Sequence, residues 1–143
     1  MVKVPVATSA QIDKSLEPRT LVIGLTINGT AKAYPLDALV KQSLILDDLG
    51  GLPIFVVLVD DKRSVRAFER SVDGRKLEFL VKPNTASLVM VDGETGSEWD
   101  FTGKSIGGQL SGRQLKKIAI LEDYWFDWIT YNPKTTVYAL GNR

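Results

Sequence analysis

Hydrophobic and polar residues alternate along much of this chain, a pattern typical of β-strands with one buried face. The alternation is clearest over residues 21–27, where every second residue is Leu or Ile. Asn28-Gly29 follows directly, and both residue types tolerate the positive φ that a two-residue hairpin turn requires. Asp73-Gly74 provides a second signal of the same kind. We therefore predict an antiparallel hairpin at each turn.

Helical spacing of apolar residues is confined to two short segments. One follows Pro35, over residues 36–40, and the other covers residues 125–129. Asp123 is the predicted N-cap of the second helix, and Pro133 is its predicted end. The residues predicted to face the core from these helices are Leu36, Leu39, Val40, Trp125, Trp128 and Ile129.

These patterns together predict about nine strands and two short helices. The predicted fold class is β-rich, mainly an antiparallel sandwich or a partly open barrel. Residues 1–19 are polar and irregular, so we interpret them as an N-terminal arm or linker. Residues 20–143 are predicted to form a single β-rich domain.

Two absences from the composition limit the available chemistry: the 143 residues include no Cys and no His. Disulfides, zinc–thiolate sites and cysteine nucleophiles are therefore excluded, as are Ser-His-Asp constellations and His-based metal sites. Only carboxylates, Lys or Tyr could then act as a general acid or base. We predict no metal and no cofactor. The composition disfavours an enzyme but leaves carboxylate and Lys chemistry open.

Charge and hydropathy exclude two further classes of partner. Lys+Arg is 18 and Asp+Glu is 17, so the chain lacks the basic excess typical of a nucleic-acid-binding domain. No stretch approaches the ~20 apolar residues that a membrane-spanning helix needs. We predict no nucleic acid and no membrane span, and expect other domains or proteins as partners.

Four acidic residues lie close together in the sequence: Asp92, Glu94, Glu98 and Asp100. They are weak ligand candidates, because such a group could supply oxygen ligands to calcium or a carboxylate pair for glycoside hydrolysis. The spacing does not fit an EF-hand loop. The Asp-Gly and Thr-Gly pairs among them are also what β-turns require, so a purely structural role is the alternative.

Aromatic residues are concentrated between Tyr124 and Tyr131. One interpretation is an aromatic platform for a sugar. Packing of a helix against a sheet is the alternative for Trp125 and Trp128. Trp99 lies between two acidic residues of a predicted strand, so its side chain should point to the opposite face, into the core.

An ordered series of short motifs resembles the bacterial and archaeal family DUF3179, a domain family of unknown function. The series covers roughly residues 20–140. No single motif is specific, but their order is. The matching stretches are Asn28–Leu36, Gly50–Pro53, Phe68–Gly74, Ser87–Met90, Thr95–Trp99, Gly103–Gly107, Leu110–Gly112 and Trp125–Pro133.

The departures from this family concern its reactive residues. Family members typically carry a Tyr-Cys-Pro-Leu-Cys stretch, whose cysteines fall on Val59 and Lys62 of this chain. The family's usual His-Glu pair falls on Gln42 and Ser43. The resemblance therefore implies a lost site, and Gln42, Val59 and Lys62 are candidates for a vestigial pocket. Unrelated surface or core positions are the alternative.

The resulting hypothesis is a non-catalytic binding or structural domain of a larger protein. A periplasmic or extracellular location is expected, because members of the family often carry export signals, although this chain shows none. One alternative is an enzyme or small-ligand binder that uses carboxylates and Lys. Another is an accessory domain of an electron-transfer protein.

Overall fold

The structure is a computed structural model that describes residues 16–59 and 64–139. It is rich in strands with two short helices, and none of the sheets in these ranges closes into a barrel, which confirms the predicted fold class. In chain order the elements are β1 (Leu21–Ile27), β2 (Thr30–Pro35), α1 (Leu36–Gln42), β3 (Leu44–Leu49), β4 (Leu52–Leu58), β5 (Val65–Glu69), β6 (Ser71–Val72), β7 (Arg75–Lys76), β8 (Phe79–Val81), β9 (Val89–Asp92), β10 (Glu98–Asp100), β11 (Ser105–Gly107), β12 (Lys117–Ile118), β13 (Leu121–Tyr124), α2 (Trp125–Tyr131) and β14 (Thr136–Val137).

The chain folds into two compact units, and the first contains the described residues up to Ala38 and from Ile120 onward. Its four-stranded sheet has the order β13-β1-β2-β14, with β14 parallel to β2 and the other pairs antiparallel. Asn28 and Gly29 have φ of 51° and 80°, so both adopt the left-handed conformation of a tight hairpin turn. The predicted β1–β2 hairpin is confirmed.

The central strand β1 is buried on both faces over residues 22–25, so the prediction of one buried face is wrong there. The second face is covered by α2, because Val22 packs with Trp125 and Trp128. Gly24 makes this packing possible. A Cβ at this position would lie 2.3 Å from the Trp128 ring, which is closer than real contacts allow.

The two helices follow their predicted patterns only in part. Trp125 and Trp128 of α2 are buried as predicted. Val40 of α1 is 49% exposed, since the buried residues of that helix lie just before it. Asp123 is not the N-cap of α2, because it belongs to β13 and Tyr124 takes the cap position.

The second unit covers the described residues between Leu39 and Ala119 and contains two four-stranded antiparallel sheets. Their orders are β12-β5-β4-β3 and β11-β10-β9-β8, and the predicted Asp73-Gly74 hairpin joins the small pair β6–β7. Both sheets contribute side chains to one hydrophobic core. The ring centroids of Phe55 and Phe79, which come from different sheets, are 4.6 Å apart. Trp99 is fully buried in this core, as predicted.

A buried arginine, Arg70, bonds to two strands of one sheet and to the residue that follows β7. Arg70 is 4% exposed, and its guanidinium donates to the carbonyls of Ile54 at 2.8 Å, Leu77 at 3.1 Å and Asp47 at 3.2 Å. The Asp48 carboxylate lies 3.7 Å away. Because a buried cation is tolerated only when it is paired and hydrogen-bonded, these partners give Arg70 a structural role.

The helices α1 and α2 have seven residues each, and no helix in the described ranges is long and apolar enough to cross a membrane. The predicted arm at residues 1–19 lies mostly outside the described residues, which begin at residue 16. The assignment of residues 20–143 to one domain stays a prediction.

Candidate functional site

Two of the three positions predicted to form a vestigial pocket, Gln42 and Val59, lie near one end of the β3–β4 pair. Gln42 is the last residue of α1, and Val59 follows β4 directly. The residues beside them are hydrogen-bonded, because the Leu58 N–H donates to the Ser43 carbonyl at 2.8 Å. Gln42 and Val59 therefore lie close to the same backbone hydrogen bond. Lys62 lies outside the described residues, so the convergence of all three positions stays a prediction.

Ser43 has an unusual backbone conformation at this point. Its φ is 67°, and its N–H donates to the Leu39 carbonyl at 2.7 Å, as expected of the residue that ends a helix. Glycine is the usual residue in this left-handed position, because a Cβ makes it less favourable by roughly 1 kcal/mol. Ser43 thus ends α1 in a conformation that is unfavourable for a residue with a side chain.

The candidate carboxylate of Asp92 is fully buried and satisfied by its neighbours. It accepts hydrogen bonds from Trp99 Nε1 at 2.9 Å, from the Thr95 N–H at 2.6 Å and from the Thr95 hydroxyl at 2.8 Å. These bonds close the turn between β9 and β10 and fix the Trp99 ring in the core. A carboxylate surrounded in this way stabilises the fold and has no open side for a ligand.

The same polar network continues through Ser97. Its hydroxyl lies 2.7 Å from the Thr95 hydroxyl and accepts from the Leu110 N–H at 2.9 Å. Gly108 packs against it so closely that a Cβ there would lie 2.7 Å from the Ser97 Cα. This packing excludes a larger residue at Gly108, so the network fixes the loop that follows β11 to the β9–β10 turn.

The other three candidate carboxylates have separate partners. Glu94 accepts from the Glu78 N–H at 3.0 Å, and Glu98 pairs with Lys82. Asp100 accepts from the backbone N–H groups of Thr102 and Lys104. No group of three or more acidic residues in the described part of the chain is arranged to hold a metal ion.

The pKa of Asp100 reflects this local environment. Partial burial acts to raise it, but hydrogen bonds from the Thr102 side chain and from the Lys104 and Thr102 backbones outweigh burial and lower the pKa below its usual value. A depressed pKa keeps the carboxyl ionised, which suits an acceptor in a turn better than a general acid.

A different feature is the apolar surface of the first unit. Leu21, Tyr124 and Phe126 are 36%, 45% and 50% exposed. Leu21 lies directly opposite Tyr124 in the β1–β13 pair, and the Tyr124 and Phe126 rings stack with centroids 6.1 Å apart. We call these three residues the aromatic edge surface, since β13 pairs only with β1 among the described strands and is an edge of its sheet.

Acidic residues lie beside Tyr124 and Phe126 in the sequence. The segment from Leu121 to Tyr131 contains Glu122, Asp123 and Asp127, with no Lys or Arg. A hydrogen bond with Asp123 raises the pKa of Asp127 above its usual value, and burial and the Asp123 charge act in the same direction.

Comparison with known proteins now adds one finding. A family model described as a protein of unknown function, DUF3179, matches residues 2–135. The chain belongs to this family. No curated protein and no solved structure matches it.

Two of the stretches that resemble DUF3179 have structural roles in this chain. Thr95, Ser97 and Trp99 belong to the buried network around Asp92. The Asn28-Gly29 pair forms the β1–β2 turn. These residues therefore stabilise the fold.

Sequence reasoning singled out the aromatic residues between Tyr124 and Tyr131, but it did not group Tyr124 and Phe126 with Leu21. Residues at i, i+3 and i+4 of α2 point toward the sheet, so Phe126, one position after Trp125, must point away from it. The contribution of Leu21 could not be derived in this way. It depends on the β1–β13 pairing, which joins residues about a hundred positions apart in the chain.

Proposed function

We propose that this DUF3179 domain is a non-catalytic binding domain of a larger, extracytoplasmic protein, and that a segment of a protein partner adds to β13 as a further strand. The observation that carries the proposal is the aromatic edge surface, where exposed apolar side chains lie beside an edge strand. Edge strands present backbone N–H and C=O groups that pair readily with another chain. Contiguous exposed apolar residues commonly mark interaction sites, unlike single ones.

The acidic residues near the aromatic edge surface indicate which kind of partner segment would bind there. Glu122, Asp123 and Asp127 would repel an acidic segment and attract a basic one. A Lys or Arg placed near Asp127 would favour its ionised form. The proposed partner segment therefore combines apolar residues, which contact Tyr124 and Phe126, with Lys or Arg.

The enzyme alternative has less support. Asp92 and Asp100 are occupied by hydrogen bonds within turns, and Glu98 pairs with Lys82. Asp123 and Asp127 form a close carboxyl pair, which lies beside Tyr124 and Phe126 in the sequence. We also propose that the site implied by the family resemblance has degenerated in this chain. A metal titration of the purified domain should then show no tight binding, and stoichiometric, tight copper or zinc binding would overturn that part of the proposal.

Photo-cross-linking in the native host tests the binding role. Benzoylphenylalanine replaces Phe126 in the full-length protein, and Leu80 of β8, which is 69% exposed, serves as the matched control position. We expect a discrete adduct with one protein from position 126 and not from position 80. Mass spectrometry identifies the cross-linked segment, which should contain apolar residues and Lys or Arg.

Three outcomes would overturn the proposal. They are no adduct from position 126, the same adducts from both positions, or an adduct of the chain with a second copy of itself. The proposed location is tested separately by fractionation of the host cells, where recovery of the full-length protein in the cytoplasmic fraction would contradict it.

A further inference from the structure

A cavity in the first unit lies away from all the candidate positions considered above. Its volume is about 390 Å³, and it lies between the β1–β2 hairpin, at residues 29–31, and the loop from α2 to β14, at residues 132–135. This volume is within the range of small-molecule sites, about 300–1,000 Å³. The cavity could therefore hold a small metabolite.

The two walls of the cavity are held in place by tight turns. On one side, Asn28 and Gly29 form the hairpin turn. On the other, the Thr135 N–H donates to the Asn132 carbonyl at 3.0 Å, which closes a β-turn with Pro133 inside it. Proline fixes its own φ, so this turn is rigid before any ligand binds. A preformed site loses little conformational entropy on binding.

Two polar side chains of this cavity have no partner among the described residues. The Lys134 ammonium makes no ion pair or hydrogen bond there, and neither does the Thr30 hydroxyl. By contrast, the Thr135 hydroxyl accepts from Trp128 Nε1 at 2.9 Å and donates to the Thr136 carbonyl at 3.0 Å. Thr135 is thus a fixed part of the wall, while Lys134 and Thr30 retain donors for a ligand.

The charge of the cavity favours an anion. Lys134 is the single charged residue among those that line it. The carbonyls at the C-terminus of a helix carry a partial negative charge, which would oppose an anion. Here the Trp128 carbonyl already accepts from the Asn132 N–H at 2.9 Å and from Asn132 Nδ2 at 3.1 Å. The positive charge of Lys134 therefore affects a bound molecule more than the partial negative charge at the end of α2 does.

The cavity also has an apolar part. Ala31 lines it and packs against the cluster that contains Trp125 and Trp128. A ligand with both an anionic group and a small apolar body would contact both parts.

We propose that this cavity is a binding site for a small organic anion, whose carboxylate or phosphate group pairs with Lys134 and accepts a hydrogen bond from Thr30. Charge-assisted hydrogen bonds of this kind are stronger than neutral ones. The site is independent of the aromatic edge surface and does not require the proposed protein partner.

The test is an NMR titration of the purified chain with benzoate, with inorganic phosphate and with neutral benzyl alcohol. We expect saturable amide shifts with benzoate or phosphate, centred on Thr30 and Lys134, and no comparable response to benzyl alcohol. Saturation by phosphate alone would show that the site prefers ligands with a phosphate group. Saturation by benzoate alone would show that it prefers ligands with a carboxylate. The proposal is overturned if neither anion gives saturable shifts there, or if benzyl alcohol gives the same response.

Three variants separate a specific site from general charge attraction. Lys134→Gln should weaken anion binding by about tenfold or more, and Lys134→Arg should retain most of it. Lys117→Gln is the matched control, because Lys117 is an exposed lysine of the second unit. Equal binding by Lys134→Gln and the unchanged chain, or equal losses in Lys134→Gln and Lys117→Gln, would contradict the proposal.

Discussion

Each unit contains a group of contacting aromatic residues, but one group lies in a core and the other on the surface. In the second unit Phe55, Phe79 and Trp99 are at most 1% exposed and contact one another across the core. In the first unit Tyr124 and Phe126 also stack, but each is about half exposed. An aromatic contact inside a core stabilises the fold, whereas one left on the surface beside an edge strand contributes little to folding. This difference in exposure distinguishes the aromatic residues that stabilise the second unit from those that are available for binding on the first.

The largest expected effect comes from making the same Phe→Ala change once in each unit. Phe79→Ala should lower the free energy of unfolding by about 3–5 kcal/mol, because it removes a buried ring and leaves a cavity. Phe126→Ala should lower it by less than about 0.5 kcal/mol. Urea denaturation followed by tryptophan fluorescence measures both. Similar losses in the two variants would remove the distinction on which the comparison depends.

A glycine pair tests the packing that holds the first unit together. Gly24→Ala should destabilise the chain by about 1–3 kcal/mol, since the new methyl group would overlap the Trp128 ring. Gly93→Ala is the control, because the nearest atom to its Cβ, the Glu78 carbonyl oxygen, is 3.8 Å away. Thermal unfolding measures the difference. A neutral Gly24→Ala would show that α2 does not pack on β1 as described.

An acid pair sharpens the comparison further. Asp92→Asn should lower the free energy of unfolding by about 1–3 kcal/mol. One of the two acceptor oxygens becomes an NH₂ group, which faces donors from Trp99 and Thr95. Asp127→Asn, on the surface, should leave stability near neutral pH almost unchanged. Denaturant titrations of both variants check this order of effects, and the reverse order would contradict it.

The smallest expected effect is a pH dependence at Asp127. Its pKa is raised in the folded chain, so its stabilising contribution is complete below the unfolded-state pKa and is lost as the pH rises through the folded one. Denaturation at a series of acidic pH values gives the free energy of unfolding as a function of pH. The contribution of Asp127 should lower this free energy as the pH rises in the unchanged chain, and the decrease should be weaker in Asp127→Asn. Identical slopes would show that Asp123 does not raise the pKa of Asp127.

Local sequence signals predicted the parts of the fold that depend on local physics. Asn28-Gly29 and Asp73-Gly74 were identified as turns because their residue types tolerate positive φ, and helical spacing placed Trp125 and Trp128 on a buried face. The burial of Gly24 under Trp128 depends on a pairing between distant parts of the chain, which periodicity does not encode.

The candidate site was predicted less completely for a similar reason. The spacing of Asp92, Glu98 and Asp100 showed that they are close in sequence, but the direction of each carboxylate depends on hydrogen bonds with Trp99, with Lys82 and with the backbone near Thr102. No local pattern predicts the Lys134 cavity, because its walls come from segments about a hundred residues apart.

The most direct test of the central claim measures affinity and stability on the same variant. The protein identified by cross-linking is purified, and its binding to the unchanged chain and to Phe126→Ser is compared by calorimetry, with urea denaturation of both chains. We predict binding weaker by about tenfold or more with an almost unchanged free energy of unfolding. Equal affinity for the two chains would contradict a binding role for the aromatic edge surface.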